Sequence, residues 1–363
     1  MKQYQHSCTD KSLIGNRVLT PLWKHTATLL PRHVSPNMIT FFGGLFMICT
    51  YIYITLSHND LFVSPLHRHH CFLISLAWLV FLSCDGVDGA YARYSGMKSP
   101  LGDIIDHSID AIVYISGGIL TAALFIPQNG IITILSVLSA IACGYACEVE
   151  YLVTKTMTLG IISGPTEGVL IASLVSFIVG VIGPENSQRL FGSTVTIFGN
   201  SQKLGVYAVF CMSFLFLVLI IISFFKCLSN STFSNFKCLH LFSPFLLIII
   251  ILIFLNYQFP SLIQSNSEVI CVLFGLSLFH ITNRVLIIRL CSRQTINLHF
   301  FYLFFYPIFF SLFNIYQYWF VLGWVVVVVG LSITYWLVIL MVLSKKLGVP
   351  LIRTFEDATV TLL

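Results

Sequence analysis

The sequence predicts an all-α, polytopic integral membrane protein of about ten transmembrane helices, preceded by an N-terminal amphipathic helix lying at the membrane interface. Three observations carry this. Of 363 residues, 57% are hydrophobic and only 9% charged, whereas a soluble chain is about one-quarter charged. The mean hydropathy is +0.91, and the apolar runs recur near the length of about 20 residues that crosses a bilayer as helix. The basic residues also alternate from loop to loop, as the positive-inside rule requires.

Taken in order, residues 1–37 form a segment with five Lys or Arg and no apolar stretch leading to a cleavage site, so a secreted product is not expected. Within it, "TPLWKHTATLLPRHVSPN" sets Leu22, Trp23, Leu29 and Leu30 among Lys24, His25 and Arg32, the pattern of a helix resting on a charged leaflet. Ten spans then follow at about 38–57, 71–87, 108–127, 131–150, 167–183, 204–225, 242–258, 268–290, 299–317 and 320–343. With the N-terminus cytoplasmic, 15 of the 19 Lys and Arg residues face the cytoplasm. The other four are Arg68, Arg189 and Lys203 on the opposite side and Arg284 within a span, from which it snorkels toward the cytoplasm. The organisation expected is 1–37 interfacial segment, 38–225 catalytic helices, 226–343 additional helices and 344–363 cytoplasmic tail. The 11 cysteines are scattered with no CxxC pair, so they read as packing residues and not as a disulfide or metal framework. A net charge of +5, dispersed over many loops, excludes nucleic acid as a partner and fits a membrane surface.

The rare acids are concentrated in "DGVDGAYARYSGMKSPLGDIIDHSID", residues 85–110. Asp85 and Asp88 are three apart, and Asp106 and Asp110 four apart, so each pair shares a helix face. Two such helices make a cup of four carboxylates at one membrane boundary, and burying them requires compensating charge. Hard divalent cations supply it, and Mg²⁺ binds few carboxylates together with phosphate oxygens. Gly86, Gly89, Gly102 and Ala92 let a backbone approach a ligand closely, and Arg93, one turn past Gly89, reaches a phosphate or locks a carboxylate. Phosphoryl transfer is the implied chemistry. A divalent-cation or nucleotide transporter using the acids as a path is the alternative from another class. Asp103 is expected to point away as a solvated loop residue, and His67, Arg68, His69 and His70 to form a wet loop across the membrane and not a metal tract.

The spacing D-x2-D-G-x2-A-R-x8-G-x3-D-x3-D is met at every fixed position: Asp85, Asp88, Gly89, Ala92, Arg93, Gly102, Asp106 and Asp110. It resembles the signature of the CDP-alcohol phosphotransferase family. "PLGDIIDHSID" resembles the P-L-G-E-L-F-D-H-G-x-D stretch of that family's choline and ethanolamine branch. "SPNMITFFG", "EYLVTKTMTLGIISGPTEG", "ITNRVLI" and "KKLGVPLIRTF" resemble further stretches of the branch, covering about residues 20–355. "GAYAR" in place of G-K-Q-A-R, and Val149 in place of an aromatic, depart from it.

The resemblance implies two Mg²⁺ (or Mn²⁺) ions on Asp85, Asp88, Asp106 and Asp110. It implies a cytidine nucleotide lined by Gly86, Gly89 and Ala92, near Arg93 and Gly102, with Asn37 and Glu167 as lesser candidates for lining the nucleotide or the path of the lipid. His107 would be the general base, oriented by Asp110, with Asp110 itself as the rival base. Glu150 would hold a metal, a headgroup amine or His107, or stand exposed at the interface. The implied reaction moves phosphoethanolamine or phosphocholine from CDP-ethanolamine or CDP-choline to diacylglycerol, releasing CMP. It would run at the cytosolic face of the endoplasmic reticulum or Golgi, with monomer or homodimer left open. A CDP-diacylglycerol-dependent transferase such as a phosphatidylinositol synthase is the alternative within the family.

Overall fold

The computed structural model describes residues 8–10, 12–58, 61–62, 64–125, 130–159, 165–197, 199–230, 234–291 and 317–352. The protein is an all-α polytopic membrane protein. Its helices are α1 Thr20–Leu29, α2 Pro36–Ser57, α3 Arg68–Tyr94, α4 Pro100–Ala123, α5 Gly130–Thr154, α6 Pro165–Ile182, α7 Pro184–Gly192, α8 Leu204–Leu228, α9 Asn235–Gln258, α10 Pro260–Ser265, α11 Ser267–Cys291 and α12 Gln317–Leu347. Eight of them are long and apolar enough to cross a membrane among the described residues, or nine if the bent pair α6–α7 is one span. Nine of the ten expected spans fall on these helices. The expected span 299–317 lies, but for its last residue, outside the described residues.

Local sequence explains where the helices near the acidic motif begin and end. Ser99 caps α4 by accepting from the Gly102 amide at 3.0 Å, and Pro100 follows at the first helical position, where its missing N–H costs nothing. The α3–α4 link is only Ser95–Ser99, turned by Gly96 at φ +70°. So short a link makes α3 and α4 antiparallel neighbours, and Asp88 and Asp106 then lie at similar depth, six residues from the helix ends on either side. The α6–α7 corner bends by 105° at Gly183, φ +97°, ahead of Pro184.

Small residues set the helix spacing. A Cβ on Gly44 would come within 2.3 Å of Ile109 on α4, and one on Gly43 within 2.7 Å of Cys84 on α3, so α2 lies close against both. Helix α1 packs on α3 through Trp23, whose ring lies 2.2 Å from where a Gly86 Cβ would stand. Leu22 and Leu29 on α1 stay exposed. Two short parallel strands, β1 (Cys8–Asp10) and β2 (Met157–Leu159), tie the N-terminal segment to the end of α5. A hairpin, β3 (Thr194–Ile197) with β4 (Asn200–Lys203), joins α7 to α8.

Candidate active site

The acids converge as the spacing requires. One carboxylate oxygen from each of Asp85 on α3 and Asp106 and Asp110 on α4 lies within 4.8 Å of the other two. Among the described residues this is the one group of three or more His, Cys, Asp or Glu side chains whose ligand atoms converge this closely. Asp106 Oδ1 and Asp110 Oδ1 are buried with no hydrogen-bond partner. Carboxylate oxygens withdrawn from water in this way need a cation, so the donor set fits a hard divalent ion. Asp88, the fourth predicted ligand, is buried on the same face of α3, and its Oδ2 accepts a short hydrogen bond from Thr40 Oγ1 on α2.

His107, beside Asp106, faces a second set of charges. Its Nδ1 is 2.9 Å from Glu148 Oε1 on α5, and its Nε2 faces Asp103 Oδ1 at 3.6 Å. Arg289, in the last turn of α11, closes the arrangement. One guanidinium nitrogen bonds Glu148 Oε2 at 2.8 Å, the other makes a short contact with Asp103 Oδ2, and the plane lies 4.2 Å from the Tyr151 ring centroid. A planar fork bridging two carboxylates is geometry that arginine provides and lysine does not. Ser108 of α4 also bonds Asn283 of α11, a second tie between the same two helices.

Several expectations change here. Asp103 is not a solvated loop residue: it lies in the first turn of α4 and pairs with Arg289. The partner of His107 is Glu148 and not Glu150. Two residues apart on a helix, the two glutamates point to opposite sides. Glu150 accepts from Ser223 Oγ at 2.7 Å and Lys226 Nζ at 2.8 Å, both on α8. Gly86, expected at the nucleotide, abuts Trp23 instead, while Gly89 has open space but for the Arg93 guanidinium. Asn37 donates to the Leu351 carbonyl at 2.5 Å, and its Oδ1 would sit 3.4 Å from a Cβ on Gly102. Ala92 is half-buried and Arg93 exposed on the same turn. Glu167 accepts from Ser12 Oγ at 2.6 Å and the Ile14 amide at 3.1 Å, fixing the N-terminal segment. The Arg284 guanidinium lies over the Tyr335 ring of α12. Thr40, Glu148 and Arg289 are the site residues sequence reasoning missed. The "CEVEY" stretch offered a signal, since it presents an acid to each side of the helix.

The chain matches the family model described as CDP-alcohol phosphatidyltransferase over residues 33–196. It is 29% identical over 185 residues to cholinephosphotransferase 1 of Saccharomyces cerevisiae, covering 51% of this chain and 47% of that protein. It is 25% identical over 314 residues to choline/ethanolaminephosphotransferase 2 of Arabidopsis thaliana, covering 81% and 77%. To the CDP-diacylglycerol–serine O-phosphatidyltransferase of Encephalitozoon cuniculi it is 30% identical over 190 residues, covering 50% and 47%. The matched chain thus spans about half the length of the first and third of these relatives and about three quarters of the second. Arg289 lies beyond the family match, whereas the acidic motif, His107 and Glu148 lie inside it.

Proposed function

Because the chain belongs to the CDP-alcohol phosphatidyltransferase family through residues 33–196, we propose that it transfers phosphoethanolamine or phosphocholine from the CDP-alcohol to diacylglycerol, giving a phospholipid and CMP. The observation that carries this reading is His107, held by Glu148 and one residue along α4 from Asp106 of the three converging carboxylates. A metal cup alone would serve any member of the family. A histidine with its own carboxylate adds a base for a lipid hydroxyl, which is a weak nucleophile near pH 7.

Asp85, Asp106 and Asp110, with Asp88 beside them, would hold Mg²⁺ or Mn²⁺, two ions in this reading. Such ions would neutralise the diphosphate and the developing charge on the leaving CMP oxygen. Glu148 would accept a hydrogen bond from His107 Nδ1 and fix the ring, so that Nε2, on the Asp103 side, takes the proton of the acceptor hydroxyl. As the glycerol oxygen attacks the phosphorus bearing the amino alcohol, its proton passes to Nε2 and the bond from phosphorus to the CMP oxygen breaks. Arg289 holds Glu148 and Asp103 in place throughout. Arg93 and the open face at Gly89 would receive the nucleotide, with Ala92, Gly102 and Asn37 at its edge. Gly86 would support that floor indirectly, by seating Trp23. Glu150 would act at one remove, through its Lys226 pair.

The domain reading remains a catalytic unit over 38–225 with further helices after it, closed by Arg289 from α11. We place the site at the cytosolic face of the endoplasmic reticulum or Golgi, because the basic loops share the side of the acidic motif. A homodimer is compatible with this reading.

The 30% identity to a serine phosphatidyltransferase favours a second reading, in which CDP-diacylglycerol is the donor and a soluble alcohol the acceptor. CMP release by the purified protein separates the two. Turnover with diacylglycerol plus CDP-ethanolamine or CDP-choline is expected; turnover only with CDP-diacylglycerol and a soluble alcohol overturns the lead reading.

A further inference from the structure

At the far end of α3 from the aspartates, four histidines converge. His67, His69 and His70 come from the start of α3, and His58 from the residue that ends α2. About eighteen residues separate His70 from Asp88, which places the two groups about 27 Å apart along the helix. The ring centroids lie 5.7 Å apart for His58–His67, 6.1 Å for His58–His70, 5.5 Å for His67–His69, 5.2 Å for His67–His70 and 4.2 Å for His69–His70.

The surroundings are not those of a wet loop. His58 and His70 are buried, as are Leu61 and Leu66 in the connecting segment. The buried pair is also fixed from behind. His70 Nε2 is 3.1 Å from Ser57 Oγ, and His58 Nε2 is 2.9 Å from Ser64 Oγ. Histidine ligands are commonly held in this way, through the ring nitrogen that does not bind the metal. His70 Nδ1, the nitrogen left over, is buried with no hydrogen-bond partner. A tetrahedral ion with metal–nitrogen bonds of about 2.0–2.1 Å sets imidazole centroids about 5 Å apart. Three of the five measured separations, 5.2, 5.5 and 5.7 Å, lie near that value. The ring nitrogens do not yet converge within 4.8 Å as the aspartate oxygens do, but His67 and His69 are exposed and can turn. Arg68, the cation between them, is turned to the α6–α7 corner, where a Cβ on Gly183 would meet its guanidinium at 2.9 Å. Asn59 and Asp60 lie outside the described residues.

We infer that His58, His67, His69 and His70 form a second metal site, for a borderline divalent transition-metal ion such as zinc, which clasps the α2–α3 end opposite the aspartate cup. Imidazoles select zinc-like ions, whereas the carboxylate cup suits magnesium, so the two sites are chemically independent. The second stands whether or not the proposed transferase reading does.

Cobalt(II) is the probe, because nitrogen-ligated tetrahedral Co²⁺ absorbs visible light far more strongly than Co²⁺ in an octahedral oxygen site. Full-length protein in detergent is titrated with Co²⁺ in excess Mg²⁺, which occupies the aspartates. One equivalent of an intense visible band, displaced by Zn²⁺, is expected for wild type and for Asp106→Asn. His67→Ala/His69→Ala should abolish the band, and this variant should keep wild-type CMP release because both side chains are exposed. Zn²⁺ should raise the thermal midpoint of wild type and leave that of the double variant unmoved. A wild type without the band, or a band that survives in the double variant, overturns the inference.

Discussion

Arg289 Nη1 lies 2.8 Å from Glu148 Oε2, so a residue late in the chain holds the carboxylate that orients His107. The partner atoms come from helices α11 and α5, 141 residues apart in sequence. Arg289→Ala is expected to lower kcat by about 10–100-fold, the usual cost of removing an orienting partner, with little change in the KM for the CDP-alcohol. Arg289→Lys should restore part of the loss, since the charge returns without the fork. An equal rise in KM with no fall in kcat would assign Arg289 to substrate binding instead.

His107→Ala should lower turnover by about 10²–10⁴-fold while leaving CDP-alcohol binding intact. Steady-state kinetics with equilibrium binding of the nucleotide reads both. Near-normal turnover would transfer the base role to Asp110.

The two glutamates of α5 should separate sharply. Glu148→Gln removes the charge facing both His107 and Arg289, and a loss of about 10²-fold or more in kcat is expected. Glu150→Gln leaves Ser223 a partner and Lys226 in reach of water, so a change of only a few-fold is expected. Reversal of this order would return Glu150 to the site.

Thr40→Val deletes the hydroxyl donated to Asp88 at nearly constant volume. Metal affinity, read from the Mg²⁺ dependence of turnover, should weaken by about 10-fold, the scale of one hydrogen bond to a charged group. An unchanged Mg²⁺ dependence would place Asp88 outside the metal set.

Gly44→Ala tests the packing that holds α2 on α4. The added methyl meets Ile109 at 2.3 Å, and overpacking of this kind costs about 1–3 kcal/mol. A lower thermal midpoint in detergent is the expected readout, and the same substitution should cost less in an Ile109→Ala background, which lacks the Cγ2 that the methyl meets.

How much of this was legible beforehand follows from the range of the interactions. Span positions and the convergence of Asp85, Asp106 and Asp110 depend on spacing within about 26 residues, and such patterns are visible in a sequence. Choosing Glu148 over Glu150 is different, because both sit in one apolar helix and only packing decides which side meets α4. Arg289 read as one more loop cation, since its contact to Asp103 crosses 186 residues. The small residue at 86 was read as room for a ligand, whereas it makes room for Trp23.

The place of Arg289 along the chain has a consequence for biosynthesis. Helices enter the membrane in the order in which the ribosome makes them, and α3, α4 and α5 are complete some 135 residues before Arg289 emerges. On the proposed reading, a nascent chain would therefore assemble its cup of acids long before its base is braced. Full activity would then wait until α11 has been inserted, and a stalled or truncated translation product would carry the acidic signature without working as a competent enzyme.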